Sequence, residues 1–203
     1  VFSPTELSRN YKVDYLIITT SKFMFNESIR NFAEWRSNYN GFNVVVVSIQ
    51  DIYEQFNVTS SLSDSIKKFI QYAYDYWTST KMEDKRLGYV LLVGDTELIP
   101  PCSSDLILLG EEVASDNGYA SVSGNDLIPD IAIGRFPVED STELNAIVEK
   151  TIQYEKEPLI GEWANSALLI SGSVESLEKE MEISSEMLLT PSGYDVTTMS
   201  LLN

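Results

Sequence analysis

Four short, continuously apolar runs are set apart by longer stretches with helical spacing, and this alternation most constrains the fold. The runs are Val13-Asp-Tyr-Leu-Ile-Ile-Thr-Thr20, Val44-Val-Val-Val47, Tyr89 to Val93, and Ile131 to Arg135. Runs without polar alternation suit strands buried on both faces, as in a parallel sheet. Between the first two, Phe25, Ile29, Phe32, Ala33 and Arg36 recur at helical spacing, and Asn40-Gly41 supplies a stop. That makes one βαβ unit. Ser61-Leu-Ser-Asp64 is a capping box for a helix with Ile66, Phe69, Ile70, Ala73 and Trp77 inside and Tyr72, Tyr74 and Tyr76 outside. Residues 95–129 read as loop, with a short hairpin arm at Tyr119-Ala-Ser-Val122. Asp140 and Glu143 then cap a helix whose inner face is Leu144, Ile147, Val148, Thr151 and Ile152. The expected class is α/β, an open parallel sheet flanked by helices.

Lys156-Glu-Pro-Leu-Ile-Gly-Glu162 breaks the last helix and is the linker candidate. Beyond the linker the chain repeats its first βαβ unit. Tyr15 to Ser21 aligns with Ala167 to Ser173, and Asn40 to Ile49 with Ser192 to Leu201, both at an offset of 152. In the intervening helix Phe25 falls over Leu177, Ile29 over Met181 and Arg36 over Leu188. The expected organisation is a complete amino-terminal α/β subdomain over 1–160 and, over 165–203, the first βαβ unit of a second, truncated one.

Charge removes one class of partner. With 31 acidic against 14 basic residues, a net charge of −17 repels phosphate backbones, so nucleic acid is not expected. No apolar run reaches the ~18 residues of a membrane span, and the chain opens on Val1 with no charged-then-apolar leader, as a processed segment would. One cysteine makes no internal disulfide. Asn26-Glu-Ser28 and Asn57-Val-Thr59 are glycosylation acceptors if the protein is secreted.

In open parallel sheets ligands collect beyond the carboxyl ends of the strands, which puts Thr19, Thr20, Asp95, Arg135 and Ser171 to Ser173 on functional edges. Asp95 reads either as a cation or orienting carboxylate or as the cap of the turn after Gly94. Arg135 reads as a carboxylate clamp or as an ion pair with the acidic loop. Asp116, Asn117, Asn125, Asp126 and Asp130 cluster oxygen donors that suit a hard cation, although turns use the same residues. Cys102 needs a base nearby to act as a nucleophile, and the chain has no histidine. Ser171-Gly-Ser173 lacks the Lys or further Gly of nucleotide loops.

Taken in order, Gly88-Tyr-Val-Leu-Leu-Val-Gly-Asp95, Ser115-Asp-Asn-Gly-Tyr119, Asn125-Asp-Leu-Ile-Pro-Asp-Ile-Ala-Ile-Gly-Arg-Phe-Pro137 and Tyr154-Glu155 resemble the gingipain-like cysteine peptidases across nearly the whole chain. The resemblance implies a caspase-like fold, secretion or display at the cell surface, protein or peptide substrates, and thiolate attack assisted by a His base. It also implies bound calcium, for which Asp116, Asn125, Asp126 and Asp130 are the candidates. The family's catalytic Cys and His match no position here, so the resemblance puts them downstream and leaves this fragment inert. A Glu that orients the family's His is approached by Glu175, one residue out of register, where a helix-opening Glu serves equally well. The other reading is a relative that kept the fold as a binding or surface module and lost the dyad.

Overall fold

The computed structural model describes residues 3–57, 61–108, 111–124, 126 and 128–201. The chain divides into two compact units, residues 1–153 and 154–203. In the first, β1 (Tyr15–Thr19) leads through α1 (Glu27–Asn40) to β2 (Val44–Ser48), then α2 (Ile49–Phe56) and α3 (Leu62–Tyr76) precede β3 (Tyr89–Val93). A hairpin of β4 (Cys102–Leu108) and β5 (Glu111–Ser115) and the short helix α4 (Asn117–Ala120) come before β6 (Ala132–Phe136) and α5 (Ser141–Lys156). The sheet runs β2, β1, β3, β6, with all neighbours parallel. Its topological switch point lies between β1 and β3.

Alternate residues of each strand enter two different cores, which is why the strands show no polar alternation. Leu16, Ile18, Val45, Val47, Val90 and Leu92 pack with Ile66, Phe69, Ile70 and Ala73 of α3, together with Ile52 of α2. Ile17, Val44, Val46, Leu91 and Val93 pack with Ile29, Phe32 and Ala33 of α1 and with Leu144 and Val148 of α5. Each such side chain contributes about 1.5–3 kcal/mol when fully buried. Trp77 ends α3, buried, with its indole N–H donating to the Arg9 carbonyl at 2.8 Å.

Several local expectations are corrected. Phe25 is 93% exposed and precedes α1, because the Asn26 side chain accepts the Ser28 N–H and starts the helix there. Tyr74 is buried rather than outward, beside Tyr76, which is exposed. Tyr119 and Ala120 are helical, and the hairpin is formed earlier, by β4 and β5. Helix α2 has no loop before it: Ser48 closes β2 and its hydroxyl accepts the Asp51 N–H at 3.1 Å.

The amino-terminal edge of the sheet is tied by one buried carboxylate. Asp14 Oδ2 accepts Asn43 N and Nδ2, both at 2.7 Å, while Oδ1 accepts Ser79 Oγ and Thr80 N at 2.7 Å and Lys81 N at 3.1 Å. Burial pushes its pKa up, but the hydrogen bonds from Asn43, Ser79 and Thr80 outweigh this and hold it below the ordinary carboxylate value.

In the second unit β7 (Ser166–Ser171), α6 (Glu175–Ile183) and β8 (Asp195–Ser200) form a βαβ unit with parallel strands. The repeat is visible in its register. Tyr15 pairs with Val44 and Ala167 with Val196, so both units join residues 29 apart, at the offset of 152. The helical passages keep that offset at their ends, Gly41 and Gly193, but not at their starts. Helix α6 starts four residues before the image of α1 and continues through a π-helical segment, Ser184–Leu189, and a 3-10 turn, Thr190–Ser192, to Gly193.

Candidate functional site

The carboxyl edge of the first sheet gathers Thr19, Thr20, Asp95 and Arg135, and nearly every polar atom there is spent within the chain. Thr19 Oγ1 donates to the Val93 carbonyl at 3.0 Å, which links β1 to β3. Asp95 Oδ1 accepts Glu97 N at 3.1 Å and Leu98 N at 2.9 Å, so it caps the turn after Gly94. Arg135 Nη1 donates to the carbonyls of Gly94, Asp95 and Ile99, while Nε and Nη2 each meet an Asp116 oxygen at 2.7 Å. Of the two readings of Arg135, the ion pair with the acidic loop is the one observed. Thr20 Oγ1 is buried without a hydrogen-bond partner.

Cys102 opens β4 and is buried. Burial raises its thiol pKa; Lys67 opposes this and Asp64 and Asp116 reinforce it, with a net rise. A nucleophile needs the opposite shift and a base beside it. The neighbouring Tyr119 is fully buried, donates to the Pro100 carbonyl at 2.7 Å, and has its own pKa raised, first by burial. It offers no base.

The described carboxylates of the acidic loop each have partners within the chain. Asp116 is held by Arg135, Asp130 Oδ2 accepts Val122 N and Ser123 N at 2.8 Å, and Asp126 Oδ1 accepts Ile128 N at 3.0 Å. Asn125 lies outside the described residues. Among the described residues no three His, Cys, Asp or Glu side chains gather as a metal site.

In the second unit Ser171 ends β7 with its hydroxyl buried and without a hydrogen-bond partner. Gly172 and Ser173 lead to α6. Glu175 is the first residue of that helix, exposed, and its carboxylate meets Lys179 Nζ at 2.7 Å. Sequence reasoning missed the Asp14 anchor, whose partners lie about 29 and 65–67 positions away, too far for a local motif to show.

Comparison with known proteins agrees with the geometry of the strands. Gingipain R2 of Porphyromonas gingivalis is 28% identical over 201 residues, covering 95% of this chain and 24% of the relative. Gingipain R1 of the same species is 28% identical over 95% of this chain and 18% of its own length. The crystal structure of the Arg specific cysteine proteinase gingipain R superposes with a TM-score of 0.60 at 26% identity, covering 96% of this chain and 41% of that one. The chain thus spans about a quarter of Gingipain R2. An uncharacterized protein of Archaeoglobus fulgidus is 24% identical over 149 residues, 69% of this chain and 36% of the relative. The model of peptidase family C25 matches residues 8–201, and the chain belongs to that family.

Proposed function

We propose that these residues form the amino-terminal α/β portion of a secreted cysteine endopeptidase whose Cys and His lie outside them, and that alone they hydrolyse no peptide bond. One observation carries the reading: the chain has no histidine, and its single thiol is buried with a raised pKa. Membership of the peptidase family supports protein or peptide substrates. The first sheet then serves as a brace. Its carboxyl edge is closed by Thr19, Asp95 and Arg135 rather than left open for substrate. Among the described residues no helix is long and apolar enough to cross a membrane.

Glu175 enters this reading as the residue available to orient a base supplied from outside these residues, in place of its pairing with Lys179. Calcium at Asp116, Asn125, Asp126 and Asp130 would require Asp116 to leave Arg135, and it stands apart from this reading.

The test is turnover of a mixed peptide library by the 203-residue chain and by the full polypeptide, with a thiol-reactive probe in parallel. The short chain is expected to show no turnover and no Cys102 labelling until it is unfolded, and the full polypeptide to cleave through a different cysteine. Turnover by the short chain that disappears in Cys102→Ala overturns the reading.

A further inference from the structure

One face of α2 opens onto a recess beside the carboxyl ends of β1 and β2. Ile49 directly follows the last residue of β2, and Gln50 Oε1 accepts Ser21 N at 3.0 Å and Ser21 Oγ at 2.9 Å, just beyond the end of β1. The recess has a volume of about 390 Å³, and its described lining is Ile49, Gln50, Tyr53 and Glu54 of α2 with Leu62 of α3. That volume suits a single inserted side chain and its neighbours. The apolar part is set by the core: Ile49 is buried in it and Leu62 packs against it. The polar part is unspent among the described residues. Gln50 uses only its oxygen, and neither the Tyr53 hydroxyl nor the Glu54 carboxylate has a hydrogen-bond or ion-pair partner. Asp95 and Arg135 close the part of the edge around β3 and β6, and this recess lies outside it.

We propose that the recess binds a basic segment of a partner protein, an extended peptide in which an apolar side chain neighbours a lysine or arginine. The apolar side chain lies on Ile49 and Leu62, the cationic head meets Glu54 beside the Tyr53 ring, and the Gln50 amide donates to a peptide carbonyl. Charge selects this occupant. Glu54 is the one charged group of the described lining, and a carboxylate next to an aromatic ring is what an ammonium or guanidinium recognises. A net charge of −17 draws cationic segments to the surface and disfavours a second copy of the same acidic chain. The free Gln50 donors favour a peptide over a simple amine, which brings no carbonyl for them. The inference does not rest on the proposed function, because its test reads binding rather than turnover.

The test titrates a fluorescein-labelled, end-blocked peptide, one leucine–lysine pair among glycines and serines, into the 203-residue chain and into the full polypeptide treated with iodoacetamide, with anisotropy as the readout. Saturable binding is expected. Acetylating the lysine or replacing the leucine by glycine should each weaken it roughly five- to tenfold. Glu54→Gln should cause a similar loss for the lysine peptide and none for the acetyl-lysine peptide, so that the two changes are coupled. Glu54 is exposed, and the melting temperature of Glu54→Gln should match the parent. Tyr53→Ser should weaken the lysine peptide as well; should that variant fail to fold, the Glu54 cycle still decides. Absence of binding overturns the proposal, as does an equal Glu54→Gln effect on both peptides, which would mean attraction to the acidic surface at large. Displacement of the peptide by n-butylamine at equal concentration would overturn it too, by assigning the recess to simple amines.

Discussion

Arg135 grips Asp116 through two parallel N–H···O contacts of 2.7 Å, with only 11% of the Arg side chain exposed. Its remaining donor takes three carbonyls of the turn after β3. One side chain therefore fixes the order of β3, the loop and β6. Arg135→Ala is expected to cost on the order of 3 kcal/mol, because Asp116 and the carbonyls lose a charge-assisted partner together. Arg135→Lys should recover only part, since an ammonium cannot span the fork. Urea unfolding of the two variants and of Asp116→Asn measures this. Additive losses in the Arg135 and Asp116 double variant would show that the pair is not coupled.

The parallel sheet was legible because strands buried on both faces leave unbroken apolar runs, and Val44 to Val47 admit no other assignment. What stayed hidden depends on residues with two roles or on distant partners. Ser48 is both strand end and helix cap, so no loop announces α2. The strands of the hairpin carry Ser103, Ser104 and Asp105 beside Glu111 and Glu112, a composition that reads as loop, while Tyr119 looked like a strand residue and became the buried face of a single helical turn. At the site, the turn reading of Asp95 was available from Gly94-Asp95 alone. The fork of Arg135 on Asp116 spans 19 positions and required the fold.

Gly41 and Gly193 end the helical passage of each βαβ unit with left-handed backbones, φ 68° and 89°. Alanine at either position is expected to destabilise by about 1 kcal/mol from backbone strain. At Gly193 a Cβ meets nothing within 4 Å, so strain acts alone; at Gly41 it would lie 3.0 Å from Nζ at the far end of the exposed Lys81 side chain. Comparable losses for both in chemical denaturation support the repeat. A neutral Gly193→Ala would remove the equivalence of the two helix ends.

Asp14 sets an acid limit. Its folded pKa lies below the ordinary 3.8, so the stability it contributes is complete above that value and is lost as pH falls through the lower, folded one. Asp14→Asn should therefore be most destabilising at neutral pH, with the gap to the parent narrowing below about pH 4. Asp14→Ala, which leaves Asn43, Thr80 and Lys81 donors unmet, should cost about 3 kcal/mol or more at pH 7. Unfolding free energies from pH 7 to pH 3 decide the matter, and a constant gap would exclude the linkage.

A net charge of −17 makes any added cation stabilising through screening, so a calcium effect has meaning only against controls. With Asp116 held by Arg135 and Asp126 and Asp130 closing turns, calcium and magnesium at equal low millimolar concentrations should raise the melting temperature alike. Asp126→Ala should leave that rise unchanged. A true site saturated at a hundredfold ligand excess would instead add about 2.7 kcal/mol for calcium alone. A calcium-selective rise that Asp126→Ala abolishes would mean that the loop rearranges around the ion. Occupation of Asp116 would then force Arg135 to release its fork, so the same titration repeated in Arg135→Lys should show tighter calcium binding if that competition operates.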